Sequence, residues 1–133
     1  MRDFKKILVV NVNWVGDVIF STPIFRALKQ QFPHAHVACM AVPRVREILE
    51  SCPFVDQVIL FDERGSHRGL WAKRRFVRQL RREHFETAFL LHRSWTRAFI
   101  VFLAGVRERV GYDTKRRGWL LTHKVEADIR TQH

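Results

Sequence analysis

Asp17 is the carboxylate whose position in this sequence best suits it to chemistry. It follows Gly16 in the stretch NVNWVGDVIFSTPIFRALK, where a β-branched run ends and a helical pattern begins. There it can act as a general base that takes a proton from a substrate hydroxyl within hydrogen-bond reach. It can equally cap the helix by accepting backbone N–H bonds, which stabilises a helix by about 1 kcal/mol. Position alone favours the cap and does not exclude the base.

Arginines in two loops supply a second kind of candidate site. Arg64 and Arg68 lie between a predicted strand and a predicted helix, where they could form a fork-shaped site for phosphate or carboxylate groups. Arg93 and Arg97 bracket another loop of the same kind, with Ser94 between them as a hydroxyl ligand. The sequence therefore predicts two anion-binding loops beside the carboxylate.

The helix after Arg68 is strongly basic, with no acidic residue before Glu83. A solvated basic face is the alternative to an anion site in this segment. We expect the apolar residues Trp71, Val77 and Leu80 to face the core, and the basic residues to cover the rest of the helix.

Strands and helices alternate along the chain. Apolar β-branched runs predict strands, and apolar residues at helical spacing predict the helices between them. The predicted strands are residues 5–12, 36–42, 55–61, 87–92, 109–112 and 119–125, and the predicted helices are 17–32, 45–51, 71–82 and 95–103. This alternation predicts an α/β fold with a mostly parallel, Rossmann-like sheet and flanking helices. The working cleft of such a sheet lies beyond the carboxyl ends of its strands.

The net charge of +11 on 133 residues indicates anionic partners, which are nucleic acids, phosphorylated substrates or acidic membrane surfaces. The aromatic residues occupy core positions and do not interleave with basic residues on a sheet face, so the sequence disfavours nucleic acid. The longest apolar run, residues 98–106, is far shorter than the roughly 20 residues that span a bilayer. We therefore expect one domain that is soluble or attached to a membrane face.

Several kinds of cofactor chemistry are not expected. The first loop holds neither GxGxxG nor GxxxxGK[ST], so it is not built as a dinucleotide or triphosphate cradle. The histidines show no paired metal spacing, and we expect neither a metal nor a cofactor. Cys39 and Cys52 form no CxxC pair and are expected to be buried, reduced thiols of a cytosolic protein.

The stretch KILVVNVNWVGDVIFSTPIFRALKQQFPHAHV resembles the opening of the bacterial lipopolysaccharide heptosyltransferases, which form glycosyltransferase family 9. The segments CPFVDQVILFD and LLHRSWTRAFIVFLAGVRERVGYDTKRRGWLLTH are similar to later parts of the same family. The Gly-Asp turn is weak evidence by itself, but the ordered set of segments is fairly specific. The resemblance extends over essentially the whole chain.

The resemblance implies a GT-B glycosyltransferase that moves heptose from ADP-heptose to the lipid A–core of lipopolysaccharide, with inversion and without a metal. Residues 1–133 would be its N-terminal acceptor-binding domain, and ADP-heptose would bind a C-terminal domain absent from this chain, so we expect the chain alone to be inactive. Asp17 matches the family's general base. The expected acceptor contacts are Asn13, Gly16, Arg64, Arg68, Arg93, Ser94 and Arg97.

The same resemblance implies a cytoplasmic location with peripheral contact to the inner membrane face, where the anionic acceptor lies. The match leans toward the enzyme that adds the second heptose. A different class of function stays open, namely a non-catalytic basic module that binds anionic glycolipid or nucleic acid. Loss of sugar transfer on replacing Asp17 would separate the two.

Overall fold

Strands and helices alternate in the order that the sequence predicts. The computed structural model describes residues 4–11, 15–62, 65, 67–91, 95–112 and 121–125. The strands are β1 (Lys6–Val10), β2 (His36–Ala41), β3 (Gln57–Leu60), β4 (Thr87–Leu90), β5 (Glu108–Tyr112) and β6 (His123–Val125). The helices are α1 (Val15–Gln31), α2 (Arg46–Glu50), α3 (Leu70–Glu83) and α4 (Trp95–Leu103), and a 3-10 turn at Pro43–Val45 precedes α2.

The strands form one sheet in the order β3-β2-β1-β4-β5-β6, and all of the described pairings are parallel. The central strand β1 pairs with both β2 and β4, so that Val9 lies opposite Cys39 on one side and Phe89 on the other. Strands that are covered on both faces have continuous apolar runs, and the residues from Ile7 to Val10 are all fully buried. The predicted parallel, Rossmann-like sheet is confirmed.

The sheet has a topological switch point beside β1. The chain adds β2 and β3 on one side of β1 and then crosses over to add β4 on the other side. The first face is covered by a core that includes Phe25 of α1 and Leu49 of α2. The opposite face is covered by a core that includes Phe76 of α3 and Val101 of α4. Ligands of such sheets bind in the crevice where the order reverses, which here lies between the carboxyl ends of β1 and β4.

The first helix begins two residues earlier than the sequence predicts. Helix α1 starts at Val15, so Asp17 lies inside its first turn and the interpretation of Asp17 as the N-cap is wrong. No residue between Val15 and Asp17 is a strong helix breaker, because a single glycine costs only about 1 kcal/mol in a helix. A carboxylate in the first turn still interacts favourably with the positive end of the helix dipole.

Helix α3 packs with a different phase from the predicted one. Trp71 is 76% exposed, whereas Phe76 and Leu80 are buried. At ~100° per residue, Trp71 lies roughly 140° around the helix from Phe76, which places it on the outer side. The prediction that Leu80 and Val77 face the core is confirmed, since Val77 packs against the same cluster. The prediction that Trp71 does so is wrong.

Both cysteines are free thiols, as the sequence predicts. Cys39 is buried within β2, whereas Cys52 is only half-buried, so the expected burial holds for one of them. None of the helices in the described part of the chain is long and apolar enough to cross a membrane.

Candidate functional site

The candidate site lies at the carboxyl edge of the sheet, beside the switch point. Helix α1 follows the central strand β1 along the chain, and its first turn contains Gly16 and Asp17. Gly16 and Asp17 therefore come soon after the strand that borders the crevice. The structure describes the backbone at both positions, and the side chain of Asp17 lies outside what it describes. Its role as a general base stays a prediction.

The structure gives no test of several predicted acceptor contacts. Asn13, Arg64, Arg93 and Ser94 lie outside the described residues, and they stay predictions from the sequence. Arg68 and Arg97 are described, and the structure places them in different environments.

Asn11 is a buried polar residue of this edge that the sequence reasoning missed. It follows β1 directly, is 1% exposed, and donates its backbone N–H to the carbonyl of Met40 at 2.9 Å. Its side-chain amide also donates to Sγ of Cys39 at 3.6 Å. Burial raises the pKa of Cys39 to about 12, so the thiol is a neutral partner and not a nucleophile. A polar residue at the end of an apolar strand was the signal that could have identified Asn11.

A compact turn follows β3 and presents a second carboxylate to the same edge. The carbonyl of Asp62 accepts hydrogen bonds from the backbone N–H groups of Gly65, at 3.2 Å, and His67, at 2.7 Å. A Cβ atom at Gly65 would collide with the carboxylate of Asp62, so a side chain there would require that carboxylate to move. Asp62 was not predicted as a site residue, although its place after a strand matches the reasoning that selected Asp17.

Sheet geometry separates the two carboxylates. Strand β3 is two places from β1 in the sheet order. Neighbouring strands are about 4.8 Å apart, so the end of β3 lies roughly 10 Å from the end of β1. Asp62 therefore lies at the margin of the edge, whereas Asp17 follows the strand at the switch point.

His67 holds this turn against the core. Its Nδ1 accepts the backbone N–H of Asp62 at 2.9 Å, which requires a ring nitrogen without a proton. The ring packs against Phe61, at 5.5 Å between centroids, and against Phe76, at 4.8 Å. Burial lowers the pKa of His67; the charge of Asp62 opposes this effect and that of Lys73 adds to it. The fold thus favours the neutral imidazole.

This lowered pKa predicts a pH-dependent stability. Below about pH 6.5 the unfolded chain binds a proton at His67 more readily than the folded chain does, so we expect stability to fall as the pH drops toward the folded-state pKa. Above that window the contribution of His67 is fully present. Urea unfolding at several pH values between 5 and 8 measures it. His67→Asn, whose amide oxygen can accept from Asp62, should flatten the slope, whereas the exposed control His34→Asn should not. An unchanged slope in His67→Asn would refute the assignment.

Arg97 is a buried arginine, which corrects the prediction that its side chain faces an anionic ligand from the end of a loop. It is the third residue of α4 and is 4% exposed. Its guanidinium carbon lies 5.2 Å from the ring centroid of Phe61. Helix α4 begins at Trp95, as the sequence predicts, so Arg97 lies within its first turn and not in the preceding loop. A buried guanidinium stacked on a ring positions neighbouring groups and brings positive charge beneath the edge.

Arg68 matches its prediction more closely. It is exposed, and its backbone N–H donates to the carbonyl of Gly65 at 3.0 Å, which fixes the end of the turn. An exposed guanidinium at this position can contact an anionic ligand without a large desolvation cost. The described part of the edge therefore offers a carboxylate, a hydrogen-bonding imidazole and a basic group.

The described residues hold no group of three or more His, Cys, Asp or Glu side chains arranged as a metal site requires. Metal independence stays a prediction.

Solved structures show which class of protein has this fold. The chain matches a glycosyltransferase family 9 protein from Veillonella parvula with a TM-score of 0.86, covering 96% of this chain and 38% of that one at 21% identity. At that identity the likeness shows the fold alone. The predicted sheet is thus confirmed as part of the GT-B fold of family 9 glycosyltransferases. No family model matches the chain.

More similar relatives are heptosyltransferases. The chain is 30% identical to E. coli ADP-heptose lps heptosyltransferase II, with a TM-score of 0.81 over 94% of this chain and 36% of that one. It is 32% identical over 116 residues to lipopolysaccharide heptosyltransferase 2 of Salmonella typhimurium, covering 87% of this chain and 33% of the relative. It is 31% identical over 126 residues to lipooligosaccharide heptosyltransferase 2 of Haemophilus ducreyi, covering 95% of this chain and 34% of the relative.

These comparisons confirm the resemblance that the sequence motifs indicate. The homologues are glycosyltransferases that carry heptosyltransferase names. The chain spans about a third of the length of the curated relatives it matches.

Proposed function

We propose that this chain is the acceptor-binding, N-terminal part of an inverting, metal-independent heptosyltransferase. The observation that carries the proposal is the 30% identity to E. coli ADP-heptose lps heptosyltransferase II over nearly the whole chain. The fold adds support, since Gly16 and Asp17 lie in the first turn after the central strand, beside the switch point. The proposed donor is ADP-heptose, and the proposed acceptor is the heptose-bearing lipid A–core of lipopolysaccharide.

The proposed reaction is a single displacement. The acceptor hydroxyl oxygen forms a bond to the anomeric carbon of heptose as the bond from that carbon to ADP breaks. The carboxylate of Asp17 takes the hydroxyl proton, and the electron pair of the broken bond leaves with ADP. Attack opposite the leaving group inverts the anomeric centre. Deprotonation by a positioned carboxylate accelerates such a step by about 10²–10⁴-fold.

The charge of the chain suits the proposed acceptor. Lipopolysaccharide core carries phosphate and acidic sugar groups, and guanidinium groups bind such groups through paired, charge-assisted hydrogen bonds. Arg68 is exposed at the edge for direct contact, and Arg97 is buried where it supports the edge from beneath. Asn13, Gly16, Arg64, Arg93 and Ser94 complete the proposed acceptor contacts. We assign ADP-heptose to a part of the parent protein outside these 133 residues.

A hybrid enzyme tests the proposal. Residues 4–125 replace the matching third of E. coli heptosyltransferase II, and the hybrid is assayed for ADP release and for a heptose mass added to a heptose-bearing lipid A–core acceptor. Transfer by the hybrid supports the proposal. A folded hybrid that binds acceptor without transfer favours the non-catalytic binding module. A folded hybrid that does neither rejects an acceptor role.

Arg68 provides a sharper test of acceptor charge. We expect Arg68→Ala to weaken binding of phosphorylated core acceptor by roughly 3–10-fold, because an exposed charge-assisted hydrogen bond is lost. Binding of the dephosphorylated acceptor should change little. Isothermal titration with both acceptors measures the difference, and Arg26→Ala, which removes an exposed arginine from α1, is the matched control. Equal weakening for both acceptors would argue against a phosphate contact.

A further inference from the structure

Helix α3 begins with two large apolar side chains that point into solvent. Leu70 is 82% exposed and Trp71 is 76% exposed, the most exposed large apolar residues in the described part of the chain. Single exposed apolar residues are ordinary, but two adjacent ones of this size at the start of a helix form a small patch. Nothing in the proposed transfer reaction uses them.

A basic stripe continues from this apolar tip along the outside of the helix. Trp71, Arg74, Arg75 and Arg78 have the spacing i, i+3, i+4 and i+7, which places them on one face, and together they line a shallow recess. The guanidinium carbon of Arg74 lies 5.8 Å from the Trp71 ring centroid. We call Leu70, Trp71, Arg74, Arg75 and Arg78 the α3 outer face.

The inner side of α3 fixes this face to the domain. Phe76 and Leu80 are buried in the core, and the Arg81 guanidinium donates to the carbonyl of Leu103 at 2.8 Å. The acidic residue of the helix, Glu83, lies at its far end and accepts hydrogen bonds from Lys6 and Gln57. The α3 outer face therefore has no acidic side chain of its own helix to neutralise it.

The chemistry of this face fits the surface of an anionic bilayer. Tryptophan is the side chain that best suits the headgroup region, because its ring is apolar and its N–H is polar. Leucine inserts further, and arginines behind it pair with lipid phosphates while their stems cover apolar surface. Nucleic acid would use the arginines but would leave Leu70 exposed, and it would compete with Arg74 for the Trp71 ring.

We propose that the α3 outer face is a docking element that binds this domain to an anionic phospholipid surface. Leu70 and Trp71 enter the headgroup region, and the arginines hold the helix against the lipid phosphates. The binding itself does not depend on the proposed transferase activity.

One consequence deepens the proposed function and rests on it. Helix α3 follows β3, so its first residues lie at the carboxyl edge of the sheet, the same edge as the first turn of α1. Docking through Leu70 and Trp71 would bring that edge toward the membrane. A lipid-linked acceptor would then reach Asp17 from the bilayer without leaving it.

Vesicle binding of the full 133-residue chain tests the docking element. The vesicles contain phosphatidylcholine alone or with roughly 30% phosphatidylglycerol, and they hold no lipopolysaccharide, so the result does not depend on the transferase proposal. Co-sedimentation gives the partition coefficient. The chain has four tryptophans, and the difference in emission between the parent chain and Trp71→Phe gives the fluorescence of Trp71.

Two variants separate the apolar and basic contributions. We expect Leu70→Ser with Trp71→Ser to lower partitioning onto anionic vesicles roughly tenfold. We expect Arg74→Gln, Arg75→Gln and Arg78→Gln together to lower it by about 10–100-fold, since each basic residue near the surface contributes separately. The matched control removes three exposed arginines elsewhere, through Arg26→Gln, Arg44→Gln and Arg107→Gln.

The supporting result is strong partitioning that both α3 variants lose and the control largely keeps, with a blue shift of emission that Trp71→Phe abolishes. Equal loss in the control would overturn the proposal, because net charge would then be the cause. Absence of binding by the parent chain, or no emission shift, would also overturn it. So would tighter binding to a single-stranded oligonucleotide than to anionic vesicles at the same salt, which would assign the face to nucleic acid.

Discussion

Asp17→Asn is expected to lower heptose transfer by the hybrid enzyme about 10²–10⁴-fold while leaving acceptor binding nearly unchanged. Asparagine keeps the size of the side chain but cannot accept the proton that the acceptor hydroxyl releases. A positioned general base contributes about 10²–10⁴-fold to such a step, so kcat should fall by that factor. Acceptor affinity should stay within about twofold, because an amide still offers an oxygen to a hydroxyl donor.

Asp62→Asn is the matched control for this prediction. Asp62 is a carboxylate at the same edge of the sheet, but it follows the marginal strand β3 and not β1. Its replacement should change kcat only slightly, with thermal unfolding used to show that the turn at Gly65 is intact. Comparable activity in Asp17→Asn and the parent hybrid would eliminate Asp17 as the base. A large loss in Asp62→Asn alone would transfer the role to Asp62.

The features that the sequence predicts well depend on patterns that repeat over several residues. Each strand of a doubly covered sheet needs a run of apolar residues, so KILVV, HVACMA and TAFL identify their strands without reference to the rest of the fold. The alternation of such runs with helices then determines the parallel sheet. The switch point follows less directly, because strand order depends on which side of β1 the chain crosses to.

The features that the sequence predicts poorly depend on the phase or end of one element. Trp71 was assigned to the core on its apolar character, yet burial on a helix depends on angular position relative to Phe76 and Leu80. The start of α4 was predicted correctly, but Arg97 was still counted with the loop before it, and its angular position on the helix decides that its side chain is buried. The N-cap interpretation of Asp17 failed because α1 begins two residues earlier than predicted.

His67 shows what no local pattern reveals. Its ring contacts Phe61, which follows β3, and Phe76 of α3, and its Nδ1 accepts from the backbone of Asp62. All three partners are near in sequence, but the turn that brings them together follows neither the helix nor the strand period.

Phe61 is a fully buried residue of the core beneath this edge, and its truncation is the second large expected effect. Phe61 is fully buried and lies 4.9 Å from Phe76 between ring centroids, while His67 and Arg97 pack against the same ring. Phe61→Ala should lower the free energy of unfolding by about 3–5 kcal/mol, from lost burial and a cavity. Urea unfolding measures this loss.

A matched truncation on the other face of the sheet separates general core loss from damage to the edge. Phe25 of α1 is equally buried in the opposite core, so Phe25→Ala should cost a similar free energy. Only Phe61→Ala should also raise the pKa of His67 toward its usual range. Phe61 shields the imidazole from water, and its loss would weaken the desolvation that lowers this pKa. NMR titration of the His67 ring protons reports that pKa independently of stability.

If Phe61→Ala does not fold, the milder variant Phe61→Leu allows the same comparison of the His67 pKa with that of the parent chain. Leucine preserves most of the buried volume, so the stability cost should be about 1–1.5 kcal/mol, but it removes the ring that His67 and Arg97 pack against. The pKa of His67 should still rise. An unchanged His67 titration in Phe61→Leu would show that the ring does not control the imidazole.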